Sequence, residues 1–219
     1  MNIAWSQSLR EKVEHRTWYP WLVFAFVVVG AFMVNVDSTS VNVALPTIQE
    51  QFHIRTSTLQ WVITAYLLVV TGLLPTIGML GDLIGRKKIF MTGMVILGIG
   101  SILCSLSANI TQLIVFRIFQ AFGGAMIMAN VSAMVTDIFP QGQRGRPLGM
   151  ISSVVAIATV IGPLFGGFLT DAFSWRMIFW INVPICIVSL IGITLFLPQK
   201  KKTHSERKTF DRRGSVLFF

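Results

Sequence analysis

Six apolar blocks, each about twenty residues long and joined by short polar links, organise this chain: 21–43, 59–80, 89–107, 111–134, 148–169 and 177–197. A helix needs roughly 20 mostly apolar residues to cross a bilayer. Hydrocarbon offers no partner to a backbone N–H or C=O, so only helices and closed barrels span it. A barrel strand would show about ten residues of alternating polarity, and the blocks do not alternate. The short links force neighbouring helices into antiparallel hairpins. Composition agrees: 12% of residues are charged, 53% are hydrophobic and the mean hydropathy is +0.70. A soluble domain carries about 25% charged residues, so there is too little polar surface here for a body in water.

The expected fold is therefore an all-α membrane protein, a six-transmembrane-helix bundle. Four segments divide the chain. Residues 1–19 form a tail in which Ile3, Leu9 and Val13 stand among charges, as a helix on the membrane surface or as a solvated tail. Residues 20–198 form the bundle. Residues 199–213 form a basic linker. Residues 214–219 read as the first turn of a seventh span cut short, with a native apolar tail as the alternative.

The basic residues orient the bundle. Three lie in the first tail (Arg10, Lys12, Arg16), three in the second link (Arg86, Lys87, Lys88), two in the fourth link (Arg144, Arg146) and seven after the sixth block. The opposite side has Arg55 and Arg176. By the positive-inside rule both termini are cytoplasmic, and the expected location is the cytoplasmic membrane, crossed several times. The net charge of +9 does not imply nucleic acid, because the basic residues sit only at block ends. Cys104 and Cys186 fall inside apolar blocks and read as small buried hydrophobes. The first block is too long for a cleavable signal and lacks its cleavage site.

Two ionisable residues lie where lipid would not tolerate them. An ionisable group in a span costs about 2.5–3.5 kcal/mol even on lenient scales, so it faces a cavity or a partner. Asp37 lies ~24 Å along the first span from the cytoplasmic edge, at 1.5 Å per residue. Arg117, on the antiparallel fourth span, lies ~21 Å from the same edge of a ~30 Å core. The two are thus within about one helical turn of the same depth. One reading is a structural ion pair clamping the two spans. The other is a protonatable carboxylate beside a fixed cation. Burial disfavours a charged carboxylate and a guanidinium favours it, so changing hydration would let such a group titrate. Asn35, Ser38, Thr39, Asn42 and Gln120 surround the pair with more polarity than a lipid-facing stripe carries. Asn35, Thr39, Asn42, Gln120 and Gly124 are the candidates for lining a cavity.

Two further features are less specific. The fifth span places small residues at Gly149, Ala156, Ala158, Gly162, Gly166 and Gly167, with Pro163 among them. Small residues let helices approach closely and proline removes a backbone donor. Ordinary tight packing and a bendable seam between moving halves are both open. In the second link, Gly78, Gly81 and Gly85 suit a tight turn. Asp82 is left unexplained, as is Asp137 at the cytoplasmic end of the fourth span. Asp82, Arg86 and Asp137 can form a charge cluster on the inner face. Surface pairs stabilise little, which suits a latch that is broken and remade.

Other signals are weak. Asn109-Ile110-Thr111 matches a glycosylation sequon in a link too short to use it. His15, His53 and His204 lack metal-ligand spacing. Gly98 and Gly100 lack the third glycine of a phosphate loop. Met126, Met128 and Met134 suit packing better than an adaptable pocket. No Ser/His/Asp or Cys/His set shares a site, so no enzyme activity is expected.

Taken together, the motifs resemble the major facilitator superfamily, and more narrowly the N-terminal half of its 14-helix drug:proton antiporters. Residues 37–46, Asp-Ser-Thr-Ser-Val-Asn-Val-Ala-Leu-Pro, are similar to that branch's first-span motif. Gly78, Asp82, Gly85, Arg86 and Lys87 match the superfamily's loop motif, with Leu83 where many members have Arg. Arg117, Gln120, Gly123 and Gly124 resemble the fourth-span motif. Gly149, Gly162, Pro163, Gly166 and Gly167 resemble the fifth-span antiporter motif. Residues 175–184, Trp-Arg-Met-Ile-Phe-Trp-Ile-Asn-Val-Pro, also resemble that branch. The resemblance implies two three-helix repeats and alternating access around a midplane cavity. Under it, Asp37 and Arg117 couple to protons. Asp82, Arg86 and Asp137, with Gly78, Gly85 and Lys87, hold an inner gate, and the fifth-span glycines meet a second half. The expected activity is proton-coupled efflux of small amphipathic or cationic drugs, multidrug efflux that confers antibiotic resistance. No cofactor is expected beyond the proton motive force. The expected partners are lipid, substrate, protons, and a missing C-terminal half or another copy. The alternatives are a partner-dependent half-protein without transport of its own, and a metabolite or siderophore transporter of the same fold.

Overall fold

The computed structural model describes residues 18–197. The first tail up to residue 17, the basic linker and the expected start of a seventh span lie outside the described residues; Trp18 and Tyr19, counted with the tail, cap and open the first helix. Helices α1 (Tyr19–Phe52), α2 (Thr56–Leu59), α3 (Trp61–Ile84), α4 (Arg86–Ser105) and α5 (Ile110–Ile138) come first. A 3-10 turn at Gln141–Gln143 leads to α6 (Gly145–Ala172), α7 (Arg176–Trp180) and α8 (Asn182–Phe196). Among the described residues, six helical stretches are long and apolar enough to cross a membrane: α1, α2 with α3, α4, α5, α6, and α7 with α8.

Local chemistry sets the ends. Pro20 lies in the first turn of α1, where its missing N–H would have no partner anyway. The first helix outlasts its apolar block by nine residues and ends at Phe52. Polar residues such as Gln49 and Glu50 follow the hydrophobic run without interrupting the helical ladder. Gly85 joins α3 to α4 at φ 118°, a conformation that other residues rarely adopt. Asn109 caps α5 by accepting from the Gln112 N–H at 2.9 Å, and the Gln112 side chain accepts from the Ala108 N–H at 2.9 Å. The asparagine of the apparent sequon thus works as a helix cap.

The packing has an internal symmetry. α1 packs along α6 as α5 packs along α3; α5 also packs on α4 as α1 packs on α8, and α4 meets α8. This is the pattern of two three-helix units, α1 to α4 and α5 to α8, facing one another through α1 and α5. Glycine permits the closest approach. A Cβ on Gly123 would lie 2.5 Å from the Leu97 nitrogen, and one on Gly100 would lie 2.8 Å from Gln120 Cα.

Two apolar cores fill the bundle. Phe24, Val27, Phe90, Met94, Ile127 and Val131 pack near the α3–α4 turn, and Ile48, Leu59, Val62, Leu113, Trp175 and Phe179 at the opposite end. The layer between them is polar and holds Asp37, Ser101, Arg117, Gln120 and Asn182, all buried. The outer face of α6 exposes Val160, Leu164, Phe165 and Phe168. Such a surface suits hydrocarbon or another apolar helix.

Candidate functional site

The polar layer is one continuous network. Arg117 Nη1 donates to Asp37 Oδ2 at 2.6 Å, and both side chains are fully enclosed. Oδ1 of Asp37 accepts from Gln120 Nε2 at 3.0 Å and from Asn182 Nδ2 at 2.6 Å. The same Arg117 nitrogen donates to Gln120 Oε1 at 2.8 Å. Ser101 Oγ accepts from Gln120 at 2.8 Å and from Asn182 at 3.3 Å, and it donates to the Leu97 carbonyl at 2.8 Å. The Arg117 guanidinium lies 4.1 Å from the Tyr66 ring centroid and 5.7 Å from that of Phe179. Every helix crossing this layer except α6 contributes a group.

The geometry has a chemical meaning. All three side chains that meet the Asp37 carboxylate approach as donors. Gln120 is oriented by Arg117, which claims its oxygen, so its nitrogen must face Asp37 and Ser101. The network therefore fits an ionised Asp37. Oδ1 already accepts two hydrogen bonds, so a proton on that oxygen requires one of its donors to turn or withdraw. Breaking a buried pair by removing one partner is expensive, so a change in the charge of either side chain would have to be met by a rearrangement of its neighbours.

The second predicted cluster also assembles. Arg86 Nη2 lies 2.8 Å from Asp82, and Arg86 Nη1 lies 3.1 Å from Asp137, with a further bond from Nη1 to the Ala133 carbonyl. The three side chains are 30–46% exposed, so they can part at small cost. Lys87 is placed elsewhere. Its ammonium donates to the Leu197 carbonyl, as the Tyr19 hydroxyl donates to that of Phe196. These two residues tie the end of α8 to the starts of α4 and α1.

The remaining candidates separate. Gly162 and Gly166 are buried against α1: Ser40 donates to the Gly162 carbonyl at 2.7 Å, and a Cβ on Gly166 would lie 2.5 Å from the Ser40 oxygen. Part of the small-residue stripe is therefore used for close packing inside this bundle, one of the two readings open for it. Pro163 lies within α6 beside them. Gly149 and Gly78 meet nothing within 4 Å, and Gly167 faces Val43 at 3.6 Å. Of the cavity candidates, Asn42 is exposed and Asn35 is partly so, donating to the Ala31 carbonyl at 2.8 Å. Thr39 bonds back to the Asn35 carbonyl at 2.8 Å. Gln120 and Gly124 require correction. Gln120 is wholly enclosed in the network, and the Tyr66 hydroxyl covers the open side of Gly124. The Met128 sulfur lies 3.9 Å from Asn35, while Met134 packs in the apolar core.

Sequence reasoning missed Asn182, Ser101 and Tyr66. Asn182 had a signal, since it is an amide inside an apolar span. It also follows the break between α7 and α8, where Pro184 cannot donate to the Trp180 carbonyl.

Comparison with known proteins now adds to the geometry. The family model described as Major Facilitator Superfamily matches residues 27–218. The Riboflavin transporter RibZ of Clostridioides difficile is 40% identical over 90% of this chain and 43% of its own length. The Tetracenomycin C resistance and export protein of Streptomyces glaucescens is 33% identical, over 90% of this chain and 37% of its own. The Multidrug transporter protein MdtP of Bacillus subtilis is 34% identical, over 83% and 34%. The chain thus spans less than half the length of these relatives. Among solved structures, a bacterial homologue of the human lysosomal transporter Spinster, inward-facing and unoccupied, superposes with a TM-score of 0.73 at 22% identity. That superposition covers 90% of this chain and 47% of that one.

Proposed function

The chain belongs to the Major Facilitator Superfamily, and on that premise we propose that it is the N-terminal bundle of a proton-coupled exporter of small amphipathic, cationic compounds. The observation that carries this reading is the buried Asp37–Arg117 pair, closed by two amides. A transporter driven by protons needs a carboxyl group inside the membrane whose charge changes as its surroundings change. Asp37 has the counter-charge, the burial and the replaceable donors for that task. The driving force is about 2.3 kcal/mol per charge for each 100 mV, plus the pH gradient. Asp82, Arg86 and Asp137 act as the gate on the α3–α4 side, since their exposure makes them cheap to separate. The family places such sites between two bundles, and the exposed small and polar residues of α1 and α6 suit a surface facing a second one. The expected setting is the cytoplasmic membrane, with the α3–α4 turn inside.

The resistance and export named for one relative and the multidrug transport named for another support this cargo class. The riboflavin transporter favours a second reading, in which the cargo is a metabolite. A whole-cell panel separates the two. Cells making the complete protein should retain less tetraphenylphosphonium than controls, and a protonophore should erase the difference. Unchanged tetraphenylphosphonium with a change in riboflavin content would favour the second reading.

A further inference from the structure

Asn182 does more in this network than fill a gap. Its Nδ2 donates to Asp37 Oδ1 at 2.6 Å and to Ser101 Oγ at 3.3 Å, yet its own Oδ1 is buried without a partner among the described residues. The Tyr66 hydroxyl is likewise buried without a partner among the described residues, but the other acceptors bonded to the side chains around Asp37 are engaged. Gln120 Oε1 takes the Arg117 proton, and Ser101 Oγ receives two amides while donating to Leu97. The residue also begins α8, directly after the break at Ile181. Ile181 itself keeps helical φ −67° and ψ −24°, so the span stays continuous there and lacks only the bond that Pro184 cannot donate.

We propose that Asn182 is a proton-dependent amide switch: when Asp37 is protonated on Oδ1, the Asn182 amide turns about Cβ–Cγ and its Oδ1 accepts the new O–H. This rests on the reading of Asp37 as the proton carrier. The step balances. A proton from water joins Asp37 Oδ1, the N–H···O bond from Asn182 to Asp37 is lost, and an O–H···O bond from Asp37 to Asn182 replaces it. The terminal torsion of asparagine is broad and roughly two-fold, so the turn needs no backbone change. It does pull Nδ2 away from Ser101, which loosens α8 from α4. Protonation on α1 is thereby communicated to the sixth span. The titratable groups facing Asp37 are Arg117 from α5, Tyr66 from α3, Cys104 from α4 and Cys186 from α8. Among these, Arg117 is the one that carries charge opposite to the carboxylate.

The test is pH-difference infrared spectroscopy of the protein in lipid vesicles. Asp37→Asn identifies the protonated-carboxyl band of Asp37 by deleting it. In Asn182→Leu, which keeps the volume but has no acceptor, that band should move to higher wavenumber as its O–H loses its partner. Isotope labelling of asparagine in the unsubstituted protein gives a second readout that needs no change at 182. A labelled amide band should change with the same pH midpoint as the carboxyl band and vanish in Asp37→Asn. An unmoved carboxyl band in Asn182→Leu, or no amide change in step with it, overturns the switch alone. Absence of any band lost in Asp37→Asn overturns both the switch and the reading of Asp37 beneath it.

Discussion

Arg117 and Asp37 meet at 2.6 Å across the α5–α1 interface, with neither side chain reaching the surface. Removing one partner leaves the other as a buried, uncompensated charge, a loss of about 3–5 kcal/mol. Arg117→Leu and Asp37→Leu should each destabilise the bundle by that order. The double substitution should be milder than the two losses added, because no lone charge remains. Unfolding midpoints in detergent titrations, arranged as a double-mutant cycle, measure this. Strict additivity would mean that the pair does not interact.

The glycines divide into two classes by what a methyl group would strike. Gly166→Ala meets the Ser40 backbone oxygen and Gly123→Ala meets the Leu97 backbone nitrogen, each at 2.5 Å. Backbone cannot swing aside, so each should lose about 1–3 kcal/mol. Gly149→Ala and Gly78→Ala meet nothing and should change stability by less than about 0.5 kcal/mol. The contrast is sharpest between Gly166 and Gly149, which belong to the same fifth-span motif. Equal losses in the four variants would contradict the placement of α6 on α1.

The Asp82–Arg86–Asp137 cluster should behave as a surface network. Asp137→Asn is expected to reduce stability by no more than about 1 kcal/mol in low salt. The effect should shrink further as ionic strength rises, since screening acts within about 10 Å at 0.1 M. A large, salt-independent loss in thermal melts would show that the cluster is a structural clamp and not a latch.

Orientation is open to direct labelling. With Cys104 and Cys186 replaced, a cysteine at Gln141 should resist an impermeant maleimide in intact cells and react in everted vesicles. A cysteine at Leu106, which is 65% exposed in the opposite link, should show the reverse. The opposite pattern would invert the assignment drawn from the basic residues.

Much of the bundle was legible because lipid leaves few options. Apolar length located the six spans, and the depths estimated for Asp37 and Arg117 already placed them at a similar level, though not in contact. Boundaries were harder. The apolar run ends near Val43, while α1 continues to Phe52, because helical hydrogen bonding does not stop where hydrocarbon does. Gln120 was assigned to a cavity surface since polarity shows only that a residue avoids lipid. Whether it faces a cavity or another side chain depends on helix rotation, which sequence spacing determines poorly across six spans. Asn182 stands in the 175–184 motif, but its role is not legible there for a related reason. Its partner is 145 positions away, and nothing local marks which polar residue will close a distant network. The pairing of Gly162 and Gly166 with α1 was hidden likewise, since small residues announce close approach without naming the partner.

The central claim is that Asp37 carries the proton that drives export. Everted vesicles containing the complete protein, given an acid lumen, test it through accumulation of tetraphenylphosphonium. The account predicts that the unsubstituted protein accumulates it in proportion to the pH gradient, and that Asp37→Asn, though folded and inserted, does not. Gradient-driven accumulation that survives in Asp37→Asn would contradict it.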